Sequence, residues 1–370
     1  MKTVAAVLHE VGKPLEIEEL DLDGPTEGEV LIRYTHAGLC HSDLHVMQGD
    51  LEGWLPMVLG HEGAGVVEEI GPGVTRVAPG DHVVCSFIPS CGSCHWCATG
   101  QQAICDMGAA IMRGHLPGPR WPISGPAGRY GAMCMLGTFS QYGVISQASA
   151  VRIEPDLPLD VATLVGCGVP TGWGSAVNAA DVRPGDTVIV FGVGGIGVNA
   201  VQAARFAGAR YVIAVDPLAS KREMAERLGA THSVGTGAAA GELARELTWG
   251  LGADKAILTV GKMTAEVVRE AFDATGKAST IVLTAMSGFT EQTVTLPGVV
   301  ATLYKKTIKG SLFGDCNPTT DIPRLLGLYR SGDLKLDELI TTRYSLEQVN
   351  QGYDDLLAGK NIRGIIVHSH

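Results

Sequence analysis

Asp186-Thr187-Val188-Ile189-Val190-Phe191-Gly192-Val193-Gly194-Gly195-Ile196-Gly197 is an apolar run that opens directly into a cluster of glycines. The run has the length and β-branched content of a buried strand, and Val198 to Ala207 after it reads as a helix. Arg210-Tyr211-Val212-Ile213-Ala214-Val215-Asp216 is a second strand that ends in an acid. Glycines at the first, third and sixth positions permit a tight turn, the approach of a pyrophosphate to the helix N-terminus, and close helix packing. Such glycines alone mean little. Strand, turn, helix, second strand and terminal acid in one unit predict a dinucleotide site at Gly192, Gly194, Gly195, Ile196 and Gly197. Asp216 should accept hydrogen bonds from both adenosine ribose hydroxyls and repel a 2′-phosphate, so NAD is expected rather than NADP. Lys221 either reaches the ribose or is a solvated surface lysine.

The pattern continues toward the C-terminus. Ala256 to Val260 and Ser279 to Thr284 read as strands, alternating with helices around Lys221 to Leu228, Ala239 to Leu247 and Ala265 to Phe272. That alternation predicts an α/β unit with a parallel, doubly wound sheet. After Leu312 the chain is expected to return to another domain through a helix near Ile322 to Ser331, the segment Ser345 to Leu357 and a closing strand Gly364 to His368. No repeat of fixed period interrupts this order.

Upstream, short apolar runs broken by glycine and proline predict a β-rich domain, with strands at Val4 to Leu8 and Glu29 to Tyr34. Cys40-His41-Ser42-Asp43-Leu44-His45 follows such a strand and sets a thiolate, a hydroxyl and an imidazole in six residues. Thiolate and neutral imidazole are the donors zinc prefers, and a hydroxyl two residues on could hand a proton to a second imidazole. His61, held with Glu62 between glycines, is the candidate second ligand. Cys167, between Gly166 and Gly168 and ahead of a helix near Ser175 to Ala180, is the candidate third. Cys91, Cys94, Cys97 and Cys105 stand at spacings of three, three and eight. Four thiolates that close in sequence can surround one ion tetrahedrally and leave no room for substrate, so residues 91–105 are expected to hold a structural zinc. His95 is surplus to four sulfurs, and His82 reads as structural. Met107 to Gly137, rich in Gly, Pro, Met and Arg, reads as a long loop. Pro155 and Pro158 mark a domain edge.

The whole composition is compatible with this reading. A chain of 370 residues with 45% hydrophobic residues and 49 glycines is long enough for about two domains. A formal net charge of -11 argues against a nucleic-acid or anionic-membrane partner, which needs clustered Lys and Arg. The start Met1-Lys2-Thr3-Val4 lacks a secretory pattern, and no apolar run is long enough to span a bilayer, so a cytoplasmic protein is expected. Nine cysteines in such a chain read as metal ligands plus free thiols rather than disulfides.

Taken together these motifs resemble the zinc-dependent medium-chain alcohol dehydrogenases over nearly the whole chain. The resemblance implies a GroES-like β-rich catalytic domain at 1–168, a Rossmann domain at 169–312, and a return to the catalytic domain at 313–370. It implies two zinc ions and NAD: a catalytic zinc on Cys40, His61 and Cys167, with Glu62 nearby, and a structural zinc in the cysteine lobe. Ser42 and His45 match the family's proton relay, which runs through ribose hydroxyls. His41 falls where an arginine often meets the pyrophosphate, which makes that contact weaker here. Arg363 matches a late basic residue that reaches the same group, Thr171 one near the nicotinamide, and Phe87 a pocket wall, with Trp54 and the Met107 to Gly137 loop shaping the rest. The implied activity is reversible oxidation of a primary or secondary alcohol to an aldehyde or ketone, by a homo-oligomer, dimer or tetramer.

The phrases Ala6-Val7-Leu8-His9-Glu10, Cys85-Ser86-Phe87-Ile88-Pro89-Ser90 and Ala98-Thr99-Gly100-Gln101-Gln102 look like the actinobacterial subgroup that needs a nitroso-aniline acceptor. Members of that subgroup keep NAD bound and pass electrons to an external acceptor. The alternatives are an ordinary NAD-exchanging alcohol or formaldehyde-type dehydrogenase, a zinc-free reductase of the same fold, and a non-enzymatic zinc-binding module. Cys40, His61 and Cys167 together with Asp216 argue against the zinc-free reductase. The acidic balance argues against the binding module.

Overall fold

The computed structural model describes residues 1–286, 288 and 294–370. They form two compact units: Met1–Cys167 with Asn317–His370, and Gly168–Cys316. No helix among the described residues is long and apolar enough to cross a membrane.

The first unit is built on two β layers. Lys2–Leu8, Glu16–Leu22, Ile123–Gly125, Gly128–Ala132 and Met57–Val58 close into a small barrel in that order. In Glu16–Leu22, Leu20 and Leu22 turn inward while most of the acids face out, the period-2 alternation of a half-buried strand. Tyr130, Ile123 and Leu116 join them in the barrel core. The loop expected over Met107 to Gly137 therefore carries two of the barrel strands. They are short and glycine-rich, so they show no period of their own, and they exist because long-range pairing completes the barrel.

The second layer runs Ala150–Arg152, His82–Cys85, Gly63–Ile70, Glu29–Gly38, Arg363–Val367 and Ile340–Tyr344, with Tyr142–Ser146 also paired to Glu29–Gly38. Register in this sheet prepares a site. Ala37 pairs Gly63, so the chain leaving one strand toward Cys40 lies beside the chain entering the next from His61. Ile365 pairs Gly38, which brings Arg363 to the same end. The helix Pro318–Ser331 starts four residues before its expected position, because Pro318 suits the first turn and the Asn317 side chain caps the Thr319 amide at 3.1 Å.

The second unit is a six-stranded sheet in sequence order 3-2-1-4-5-6, parallel throughout, beginning with Thr187–Phe191 and Tyr211–Val215. This is the doubly wound arrangement, whose strand order reverses beside the first strand. Ile189, Phe191, Ile213 and Val215 pack on the helices Gly237–Leu247 and Ala265–Ala274. Val188, Val190, Val212 and Ala214 point the other way and are equally buried, so both faces are covered. The helix expected near Ser175 begins at Gly168 and ends as a π-turn over Ser175–Ala179. Ser175 Oγ donates to the Thr171 carbonyl at 2.6 Å and the Ala180 amide reaches back to Ser175 O at 2.9 Å, which widens the last turn.

Candidate active site and metal centres

Cys40 is the N-cap of the helix His41–Gln48, and its position follows from the strand Glu29–Gly38 that delivers it. His61 stands where the neighbouring strand begins. Cys167 is brought in by a close backbone approach: a Cβ on Gly166 would lie 2.8 Å from the Cys85 carbonyl. The outcome is that donor atoms of Cys40, His61, Glu62 and Cys167, all buried, lie within 4.8 Å of one another. His61 Nε2 is buried with no hydrogen-bond partner, while Nδ1 lies 3.2 Å from Asp43 Oδ1. A buried imidazole with one nitrogen held by a carboxylate and the other orphaned among thiols fits a metal ion at Nε2. A hydrogen bond from Cys167 and the nearby His61 hold the Cys40 thiol well below its ordinary range, despite burial.

Glu62 is buried against Arg363, and these two residues form an ion pair. Gly38 makes room for it, since a Cβ there would fall 2.2 Å from Glu62 Oε2 and 3.0 Å from Arg363 Nη2. Burial pushes the Glu62 carboxyl up to about 7, against the pull of the Arg363 guanidinium. Arg363, expected at a pyrophosphate, has its guanidinium on Glu62 in the first unit.

Ser42 Oγ is 3.7 Å from Cys40 Sγ, at the rim of the donor cluster. His45 sits one turn along the same helix with Nδ1 3.0 Å from Asp50 Oδ2. His41 is the exposed first residue of that helix, its ring 6.5 Å from the ring of His45. Phe87 presents an edge-on ring 5.9 Å from that of His61. Trp54, about half exposed, packs on Trp121 at 4.8 Å.

The four-cysteine lobe is equally convergent. Cys91 and Cys97 sulfurs are 3.9 Å apart, as are those of Cys94 and Cys105. That is far beyond a disulfide bond and close to the edge of a tetrahedron of sulfurs about 2.3 Å from zinc. Burial raises the Cys91 pKa, but the amides of Ser93 and Cys94, 3.5 and 3.3 Å from its sulfur, bring it down to about 6. A third convergence of donors, His9, Glu16 and Glu18, lies in the first unit; His9 Nε2 and Glu18 are already hydrogen-bonded there, and Tyr130 Oη donates to Glu18 at 3.0 Å.

In the second unit the glycines divide the work. A Cβ on Gly192 would meet Val260 Cα at 2.7 Å, and one on Gly197 would meet the Gly192 carbonyl at 2.0 Å. On Gly194 the nearest atom would be Lys221 Nζ at 4.0 Å, so the middle glycine leaves open room for a pyrophosphate. Asp216 accepts from the Val193 amide at 3.2 Å and the Leu218 amide at 3.0 Å, which ties the turn to the end of the second strand. Asp216 and Lys221 line a cleft of about 460 Å³ with Thr236, Lys262 and Glu270. Gly195 and Ile196 complete the turn, with Ile196 preceding the helix Gly197–Phe206. Thr171 is buried on the helix Gly168–Gly174.

Asp43 and Asp50 escaped the reading of the sequence. Asp43 could have been found, because a ligating histidine needs an acceptor for its second nitrogen and this acid follows Cys40 by three residues.

Residues 26–155 match the family model described as alcohol dehydrogenase GroES-like domain, and residues 195–331 that described as zinc-binding dehydrogenase. The chain is 60% identical to an NDMA-dependent alcohol dehydrogenase of Amycolatopsis methanolica and 58% identical to a putative alcohol dehydrogenase D of Mycobacterium tuberculosis, covering all of both chains in each case. Two crystal structures are similar over their full length and that of this chain. One is an alcohol dehydrogenase zinc-binding domain protein from Burkholderia ambifaria (34% identity, TM-score 0.94), the other a benzyl alcohol dehydrogenase from Acinetobacter calcoaceticus (31%, 0.92). With both family models matched in order, and relatives this similar along its whole length, the chain belongs to the zinc-binding medium-chain alcohol dehydrogenase family.

Proposed function

We propose that the protein oxidises primary or secondary alcohols to aldehydes or ketones with NAD, using one zinc on Cys40, His61 and Cys167 and a second on Cys91, Cys94, Cys97 and Cys105. The observation that carries this reading is the orphaned His61 Nε2 set among two thiols and a carboxylate in a buried cluster. When bound, zinc polarises the alcohol oxygen and NAD accepts the hydride. Asp43 holds the His61 tautomer in which Nε2 carries no proton and faces the cluster. Ser42, at the rim, takes the substrate hydroxyl proton. His45, one turn along the same helix with Nδ1 engaged by Asp50, is the proton acceptor beyond Ser42. Phe87 walls the apolar side beside His61, and Trp54, packed on Trp121, is read as a further part of the pocket wall. Glu62, whose carboxyl burial raises against the pull of Arg363, is held in place beside the donors by its ion pair with Arg363.

In the second unit, Gly192, Gly194 and Gly197 shape the turn for the pyrophosphate, and Asp216 selects NAD by its charge at the ribose. The identity to the Amycolatopsis methanolica enzyme supports a further step: NAD stays bound and an external acceptor reoxidises it. The protein is read as a cytoplasmic homo-oligomer. The decisive experiment takes protein purified without added cofactor, denatures it and quantifies released NAD(H). It then compares ethanol-to-octanol oxidation with free NAD and with a nitroso-aniline dye. One NAD per chain with dye-only activity is expected. Empty protein that turns over free NAD overturns bound cycling, and no alcohol oxidation under either condition overturns the activity itself.

A further inference from the structure

Two buried oxygens near the donor cluster have no hydrogen-bond partner in the structure: Asp43 Oδ2 and Tyr353 Oη. An unmade bond in a buried place costs about 1–3 kcal/mol, so two such atoms in one core call for an account. They are complementary, because a carboxylate only accepts and a phenol donates. They are also neighbours: a Cβ on Gly60, whose amide donates to Asp43, would lie 2.6 Å from the Phe139 ring on which Tyr353 packs, and Asp43 is, after burial, the strongest influence raising the Tyr353 phenol above its ordinary range. Tyr353 comes from the helix Val349–Leu357, far along the chain, and its ring packs edge-on to Phe139 at 6.3 Å within the core that also holds Leu44. Asp43 Oδ1 is already committed to the Gly60 amide at 2.9 Å and to His61 Nδ1 at 3.2 Å. Its second oxygen is therefore what governs how firmly the carboxylate is held.

We propose that Tyr353 is a positioning residue of the catalytic metal site: its hydroxyl donates to Asp43 Oδ2 and so fixes the carboxylate that aims His61. The chain of contacts runs Tyr353 to Asp43 to His61 to the metal. Nothing else in the site requires a hydroxyl at this position, since a phenylalanine would fill the same apolar volume. The inference rests on the assignment of Cys40, His61 and Cys167 as zinc ligands.

The test compares the zinc-loaded, full-length protein with its Tyr353→Phe, Asp43→Asn and doubly substituted forms. Each is challenged with a chelator and zinc release is followed. The catalytic zinc should leave about tenfold faster from Tyr353→Phe, the lower end of the effect of removing an outer partner of a metal ligand. Release from the cysteine lobe should not change, which makes it an internal control for folding. Cobalt substituted at the catalytic site should show an altered ligand-field spectrum. If Tyr353 acts through Asp43, the double variant should release zinc no faster than Asp43→Asn alone. Unchanged release and an unchanged cobalt spectrum in Tyr353→Phe overturn the proposal, and so do fully additive effects in the double variant. Failure of the underlying assignment looks different: a Cys40→Ser protein that still holds two zinc ions.

Discussion

Asp43 Oδ1 lies 3.2 Å from His61 Nδ1, and both side chains are almost wholly buried. The same oxygen accepts from the Gly60 amide at 2.9 Å, so one carboxylate fixes both the backbone turn and the ring it supports. Asp43→Ala should therefore weaken zinc at Cys40, His61 and Cys167 by about 10–100-fold, measured by competition with a chelator of known affinity. Affinity equal to the parent protein's would show that His61 is aimed by something else.

Cys40→Ala should abolish turnover while leaving the fold intact, and should reduce bound zinc from two ions to one. Metal analysis beside a circular dichroism spectrum checks both statements. The remaining ion belongs to the four-cysteine lobe, where each sulfur pair is 3.9 Å apart. Wild-type rates in a protein shown to hold one zinc would reject the catalytic assignment.

Asp216→Asn should loosen NAD and relax its preference over NADP. The charge that repels a 2′-phosphate goes, while an amide oxygen can still accept from Val193 or Leu218. A loss of about tenfold or more in NAD retention is expected from weakened charge-assisted hydrogen bonds. Quantifying dinucleotide released on denaturation after extended dialysis gives the answer, and retention equal to the parent's would move the ribose contact to another residue.

His368 makes stability depend on pH. Burial lowers its pKa to about 4 from the ordinary 6.5, and its Nε2–H donates to the Thr138 carbonyl at 2.9 Å. Between those two values the unfolded chain binds a proton that the folded chain refuses. Stability from this residue is thus fully present above about pH 6.5 and declines as pH falls toward 4, with about 2 kcal/mol already gone at pH 5. Urea unfolding at pH 7 and pH 5 should show a steeper decline for the parent protein than for His368→Gln. Equal declines would mean that His368 titrates normally.

The parts of the site that could be read in advance are those written in local spacing. Four cysteines within fifteen residues, and glycines between a strand and a helix, declare their geometry because the chain between them is too short to place them elsewhere. The barrel strands at Ile123–Gly125 and Gly128–Ala132 could not be read this way, since three to five residues with glycines carry no period. Trp54 shows the same limit from the other side. Its packing on Trp121 at 4.8 Å, 67 residues along the chain, is set by tertiary structure and has no local sign.

Sequence alone determined the alternation of strand and helix around the glycine turn, the acid at the end of its second strand, and the candidate donors for two metal ions. Tertiary structure decided how those donors meet and what holds them. Glu62 and Arg363 are 301 residues apart, and they pair because the Gly38 amide bonds the Glu62 carbonyl at 3.0 Å on one side while Gly38 pairs Ile365 on the other. Asp43, Tyr353 and His61 come from a helix, a distant helix and a strand entry, and only the packed core brings them together. The physical reason is that hydrogen bonds and ion pairs act over a few ångströms. Their partners are chosen by register and burial rather than by distance along the chain.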